Sequence, residues 1–321
     1  MRHIPLAAVE DAATAIYAAA VRTPLVRLDL PFRDAARAPD VFLKLECLQP
    51  IGSFKLRGAF NAVRQLTPAQ LADGVWTVSA GNAAQGVAFA AKAVGAPCSV
   101  MVMDTAPDTK VRAIERLGAT IVRATYDECW RTVETHGSDR MRGHFVHPFD
   151  DDAFIAGNAT TALEILADLP DVDAVVAAIG GGGLLAGVAA VMAARRPEAR
   201  VYAAEPETAS PLAASLAAGS PQRFASWQAS FVDGAGGKSV LPSMWPLLQP
   251  HLAGSLVVTL DDAARAMKHV AERIHVVIEG AAACAVAAAL SGRMGTGKVV
   301  AVVSGGNIDL SRFATLIGAC P

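Results

Sequence analysis

The stretch KLECLQPIGSFKLRGAF, residues 44–60, decides how the rest of the chain is read. An apolar run at 41–46 predicts a strand. Pro50, Gly52 and Ser53 supply a turn, and a helix is expected over 55–65. Lys55 therefore sits in a first helical turn. There the positive end of the helix lowers an amine's pKa and favours Schiff-base chemistry with a carbonyl. A lysine in that position is also, taken alone, an ordinary solvated charge.

Outward from this segment, short apolar runs alternate with alanine-rich ones. Strands are expected at 41–46, 75–79, 99–103, 120–122, 174–179, 201–205 and 299–304. Helices are expected at 55–65, 83–94, 109–116, 153–167, 184–194, 261–273 and 281–290. Such alternation predicts an α/β fold with parallel sheets covered on both faces. Three turns, SAGN (79–82), IGGGG (179–183) and SGGN (304–307), follow predicted strands. Ligands of open α/β sheets bind outside the carboxyl ends of the strands, so three such turns predict one site assembled from distant segments. The Ser-, Pro- and Gly-rich segment 210–245 is expected to be irregular and near that site.

The tetraglycine Gly180, Gly181, Gly182, Gly183 closes a strand and opens a helix, a geometry that cradles phosphate. Gly181, Gly183 and Ala186, with Glu205 about twenty residues on, also satisfy the dinucleotide fingerprint, so a nicotinamide-dependent dehydrogenase stays open on this motif. Two other glycine runs are set aside. GRMGTGK (292–298) leads into a strand and is followed by Val299, where a P-loop needs Ser or Thr; GGKS (236–239) has Val232 where the first glycine belongs.

The core Ser53-Phe54-Lys55-Leu56-Arg57-Gly58-Ala59 resembles the cofactor-lysine motif of fold-type II pyridoxal-phosphate (PLP) enzymes, especially threonine dehydratases. SAGNAAQGVAFAAKAVG (79–95) is similar to their asparagine loop, GGGGLLAG (180–187) to their phosphate loop and VVSGGNIDL (302–310) to their pyridine-nitrogen strand. YAAEP (202–206), FVDGAG (231–236) and VIEGAAACAVAAAL (277–290) also fall in the family's order. The resemblance implies a tryptophan synthase β-like fold, two open twisted α/β domains with pyridoxal 5'-phosphate between them. Residues 1–67 and 152–321 would form the large PLP-binding domain, and 68–151 a small domain carrying the asparagine loop.

The resemblance also implies roles. Lys55 would carry the cofactor and, once released, remove the substrate's α-proton. Phe54 would pack on the ring, and Gly180, Gly181, Gly182, Gly183 and Leu184 would hold the phosphate. Asn82 would bond the phenolic oxygen, while Ser79, Asn82 and Ala83 would clamp the substrate carboxylate. Ser304 would face the pyridine nitrogen, leaving it largely neutral, which favours prompt β-elimination. Glu279 matches an acidic residue near the ring. The implied activity is a dehydratase that removes water and then ammonia from a 3-hydroxy amino acid (threonine, serine or a bulkier analogue), giving a 2-oxo acid. Racemisation or β-replacement are the alternatives within the fold. A non-catalytic regulator is disfavoured by the intact Lys55, Asn82 and Ser304.

Three departures matter. Ala83 stands where the family commonly has histidine, opening space for a β-substituent different from threonine's methyl. Ala80 stands where serine racemases carry a proton-donating serine, which favours elimination. Glu205 and Ala209 match a family cation site, but Pro211 occupies its aspartate position, so no metal is expected. His144 and His147 are read as packing or surface histidines.

Bulk properties narrow the class. Of 321 residues, 53% are apolar and 18% charged, with a net charge of −2 and no basic block; this argues against nucleic acid. Five scattered cysteines without C-x-x-C predict reduced thiols and a cytoplasmic setting. Apolar runs are too short to span a bilayer, so no membrane partner is expected. A homodimer is the implied assembly, and end-product regulation through a C-terminal domain is not expected.

Overall fold

Parallel strands buried on both faces read as continuous apolar runs, and AVVAA (174–178) is such a run, every residue of it buried. It lies at the middle of the larger of two sheets. The computed structural model describes residues 2–28 and 39–320. Among them are ten strands: β1 (Leu25–Arg27), β2 (Asp40–Lys44), β3 (Val75–Val78), β4 (Cys98–Met103), β5 (Thr120–Ala124), β6 (His144–Phe145), β7 (Ala174–Ala178), β8 (Arg200–Pro206), β9 (Gly254–Val258) and β10 (Lys298–Val302). The larger sheet runs β1-β2-β10-β7-β8-β9 and the smaller β5-β4-β3-β6. Only the β1–β2 pair is antiparallel; the register of β10 sets Val300 beside Phe42 and Val175.

The expected α/β class with parallel sheets is thus found, and the seven expected strands lie within two residues of their predicted ends. β1, β6 and β9 were not anticipated. The first two are three and two residues long, too short for a period to show. The expected irregular segment 210–245 needs correction. It opens with the helix Pro211–Ala218, whose first-turn N–H groups at Leu212 and Ala213 bond the Glu205 carboxylate, each at 2.8 Å. The helix Tyr126–Thr135 was also missed, although Thr125 caps it by accepting from Glu128 N–H. The T-x-x-E spacing was the available signal.

The helix Lys55–Arg64 packs between the helices Asn82–Val94 and Asp152–Asp168. Gly58 permits this: a Cβ there would stand 2.4 Å from the Phe154 ring. Beneath the helix, four buried charges interlock. Arg57 forks onto Glu46 at 2.7 and 2.8 Å and reaches Glu164 at 2.6 Å, while Lys44 meets Glu164 at 2.5 Å. All four are at most 4% exposed. Two cations and two anions cancel, which makes their burial tolerable. The network ties β2, the turn after it, the Lys55 helix and the helix Asp152–Asp168 into one unit.

Candidate active site

Because the strands of each sheet run parallel, their carboxyl ends gather the turns that follow them. β3 leads to Ser79, β7 to Gly180 and β10 to Ser304. These ends line a cavity of about 660 Å³, together with Lys55, Asn82 and Glu279. Every sequence-predicted site residue lines it: Phe54, Lys55, Ser79, Asn82, Ala83, Gly180, Gly181, Gly182, Gly183, Leu184, Glu279 and Ser304.

The half-buried Lys55 side chain donates from its amine to the Pro148 carbonyl at 2.5 Å. Its pKa is lowered from 10.5 to about 8, and burial is the cause, opposed by Glu279. The first-turn position invoked from the sequence is correct, but desolvation is the larger lever.

Asn82 sits at the first turn of the helix Asn82–Val94. Its Nδ2 donates to both Glu279 oxygens, at 2.8 and 3.1 Å, and its Oδ1 accepts from Asn307 Nδ2 at 2.8 Å. Asn307 also donates to the Ile51 carbonyl at 2.8 Å, so it joins the turn before Lys55 to the asparagine loop. Nothing local in SGGN singles out Asn307 for that part. Ser304 is buried, and its carbonyl accepts the Phe54 N–H at 3.0 Å. Ser79 Oγ accepts from Gly81 N–H at 3.1 Å, holding the loop's bend.

Burial lifts the Glu279 carboxyl from 4.5 to about 7, against the hydrogen bond from Asn82. A folded-state pKa above the unfolded value gives stability that is full below pH 4.5 and is lost as pH rises through about 7. We expect the difference in melting temperature between the cofactor-free protein and Glu279→Gln to shift against the wild type across that window. A difference that stays flat with pH would show that Glu279 is not held protonated.

The glycine loop fits a phosphate. Among the described residues, no hydrogen bond within the protein uses the N–H groups of Gly181, Gly182, Gly183 or Leu184. They stand at the N-terminus of the helix Gly183–Arg195, the positive end of its dipole. Gly182 caps that helix at φ +95°, a conformation that side chains resist. Gly182→Ala should cost about 1–2 kcal/mol of strain and weaken cofactor binding about tenfold. Titration of the cofactor-free protein with PLP, followed by its visible band, would read this; unchanged affinity would remove the loop from the phosphate site.

Two neighbouring clusters are not available as ligand sites. Glu205, the acid required by the dinucleotide fingerprint, is fully buried and also accepts from Ser255 Oγ at 2.5 Å. Its oxygens are therefore committed inside the fold. His136, His147 and Asp150 bring ligand-type atoms within 4.8 Å of one another. Both His147 nitrogens, however, are engaged with the backbone. No helix of the described residues is long and apolar enough to cross a membrane.

Known proteins agree with this geometry. Residues 16–305 match the family described as pyridoxal-phosphate dependent enzyme. The chain is 37% identical over 281 residues to an L-threonine ammonia-lyase of Thermotoga maritima, covering 87% of this chain and 70% of that one. It is 38% identical over 287 residues to the serine racemase of Homo sapiens, covering 87% and 84%. The structure of maize serine racemase superposes with a TM-score of 0.88 at 30% identity, covering 98% and 97%. A half-buried lysine of lowered pKa, a free N–H cradle at a helix start and these likenesses converge on one cofactor, pyridoxal 5'-phosphate. The chain belongs to the pyridoxal-phosphate dependent enzyme family, in its threonine dehydratase and serine racemase group.

Proposed function

We propose that the protein is an ammonia-lyase of the dehydratase type, converting a 3-hydroxy amino acid to a 2-oxo acid and ammonia. The observation that carries this reading is the Lys55 amine facing a cavity whose asparagine loop carries Ala80, a side chain that cannot donate a proton. Racemisation needs a donor on the face opposite the base. Elimination needs no donor on that face: the base takes the α-proton, and the hydroxyl leaves as water once it accepts a proton, which the protonated Lys55 amine can return.

The bound cofactor supplies an electron sink for the pair left when the substrate's α-proton departs. Lys55 is suited to take that proton. With a pKa of about 8, about a quarter of the amine is neutral at pH 7.5, against about 0.1% for an ordinary lysine. The N–H groups of Gly181, Gly182, Gly183 and Leu184 hold the phosphate. Ser79, Asn82 and Ala83 hold the substrate carboxylate at the start of the helix Asn82–Val94. Ser304 would offer the cofactor's ring nitrogen a hydroxyl and not a carboxylate, a partner that would leave the ring a weaker electron sink and so favour elimination.

Substrate choice follows from Ala83. Where an imidazole would narrow the cavity, a methyl group leaves room in a space that Met101, Trp130 and Phe149 also line. This supports a β-substituent at least as large as threonine's. A panel of serine, threonine, phenylserine and 3-hydroxyaspartate, scored for 2-oxo acid and ammonia, tests the reading. No product from any member would overturn it.

Racemisation is the second reading, favoured by the 38% identity to human serine racemase. Ala80→Ser installs the missing donor and should raise the ratio of racemisation to elimination about tenfold or more. An Ala80→Ser protein with the wild-type ratio would remove Ala80 as the discriminating position.

A further inference from the structure

The acceptor of the Lys55 amine is the carbonyl of a proline, and a turn built around one imidazole presents it. His147 Nδ1 accepts the N–H groups of Phe149 at 3.2 Å and Asp150 at 2.7 Å. A nitrogen that accepts two N–H groups carries no proton. The proton of the neutral ring is therefore on Nε2, which donates to the Val133 carbonyl at 3.1 Å. Val133 lies near the C-terminal end of the helix Tyr126–Thr135, where carbonyls lack partners along the helix. The imidazole thus caps a helix with one nitrogen and folds a turn with the other.

Its surroundings hold that state. The ring is 2% exposed, stacked on His136 at 4.5 Å and edge-on to Phe145 and Phe149. The charged or titratable groups around it are His136, Asp150 and Lys55. The Asp150 carboxylate is itself engaged by Arg2, Ser243 and His136. Burial first, then His136, push the His147 pKa down to about 4.

The same turn meets both halves of the site. Pro148 receives Lys55, and the Phe149 ring abuts the glycine loop, its Cγ lying 2.1 Å from where a Gly181 Cβ would stand. The distance between the amine and the phosphate cradle is therefore set through two adjacent residues.

We propose that His147 is a positioning residue for Lys55: its neutral, Nε2-protonated ring fixes the turn whose Pro148 carbonyl holds the free ε-amine in place against the glycine loop. This rests on the reading of Lys55 as the base. Whenever its amine is free, the Lys55 side chain would rest against Pro148 instead of sampling the cavity.

The test uses the loaded full-length enzyme. Nitrogen-15 NMR of the imidazoles should show His147 neutral with Nε2–H between pH 6 and 8. His147→Leu, which keeps bulk but removes both ring nitrogens, should lower kcat about ten- to hundredfold. KM should change little, and the isotope effect with α-deuterated substrate should grow because proton removal becomes limiting. His147→Asn, whose amide oxygen can stand near the Nδ1 position, should recover most of kcat. A ring protonated on Nδ1 in that range, a His147→Leu enzyme with wild-type kcat, or a His147→Asn enzyme as impaired as His147→Leu would each overturn the proposal. The reading of Lys55 fails separately: a Lys55→Ala enzyme that still turned over would displace the base without altering the tautomer result.

Discussion

Lys55→Ala is expected to load PLP without the visible band of a lysine-linked cofactor and to lose turnover by about 10³- to 10⁴-fold or more. The size of the effect follows from what else lines the cavity. Lys110 is the other lining lysine, and its amine is paired with Asp233. That ion pair already engages its amine, so it is not free to replace Lys55. The position also matters. Lys55 is aimed by Pro148 and by a helix locked on two sides, and an exogenous amine has neither advantage. Small primary amines should therefore restore only part of the lost rate, in proportion to their concentration and neutral fraction. A Lys55→Ala protein that keeps both the band and the turnover would remove Lys55 from the chemistry.

The second large effect is on stability. Arg57→Met should destabilise the fold by about 3–5 kcal/mol, read as a lower urea midpoint. Burial opposes the charge of Arg57, but Glu46 and Glu164 outweigh it and hold its pKa above the ordinary value. Removing the guanidinium leaves two carboxylates in a dry space with Lys44 as their remaining paired cation among the described residues, helped by neutral donors on Tyr17, Thr23 and Gln49. Arg57→Lys keeps the charge but not the fork, and should fall between wild type and Arg57→Met. Adding Glu46→Gln to Arg57→Met removes one of the stranded charges, so the double variant should recover part of the loss. If Arg57→Met cost less than about 1 kcal/mol, the network would be no stronger than a surface ion pair. The network also makes acid the vulnerable direction. Burial works to raise the Glu164 carboxyl, but Arg57, Lys44 and Tyr17 hold it below its ordinary 4.5. That stability is present above pH 4.5 and is lost as pH falls through the depressed value.

The features legible in the sequence are those written in contiguous residues. Lys55 follows its turn directly, the four glycines adjoin their helix, and Asn82 and Ser304 stand in short motifs after strands. What escaped depends on pairs far apart. Arg57 sits inside the quoted motif, yet its partner Glu164 is 107 residues away, and nothing local marks that glutamate among other helical acids. Asn307 acts through Asn82, 225 residues distant. Spacing alone makes His147 a packing or surface histidine, and its burial fits the first. Its work is done on backbone atoms, and backbone partners leave no trace in side-chain spacing. The Lys55 pKa was assigned to the helix end because that end is visible in sequence, whereas burial appears only once the helices Asn82–Val94 and Asp152–Asp168 close over it.

The most direct test of elimination is the product partition of the wild-type enzyme with one enantiomer of a 3-hydroxy amino acid it accepts. Ammonia and 2-oxo acid should appear in equal amounts, while the remaining substrate keeps its configuration. Accumulation of the opposite enantiomer faster than the 2-oxo acid would contradict the assignment of this chain as a dehydratase.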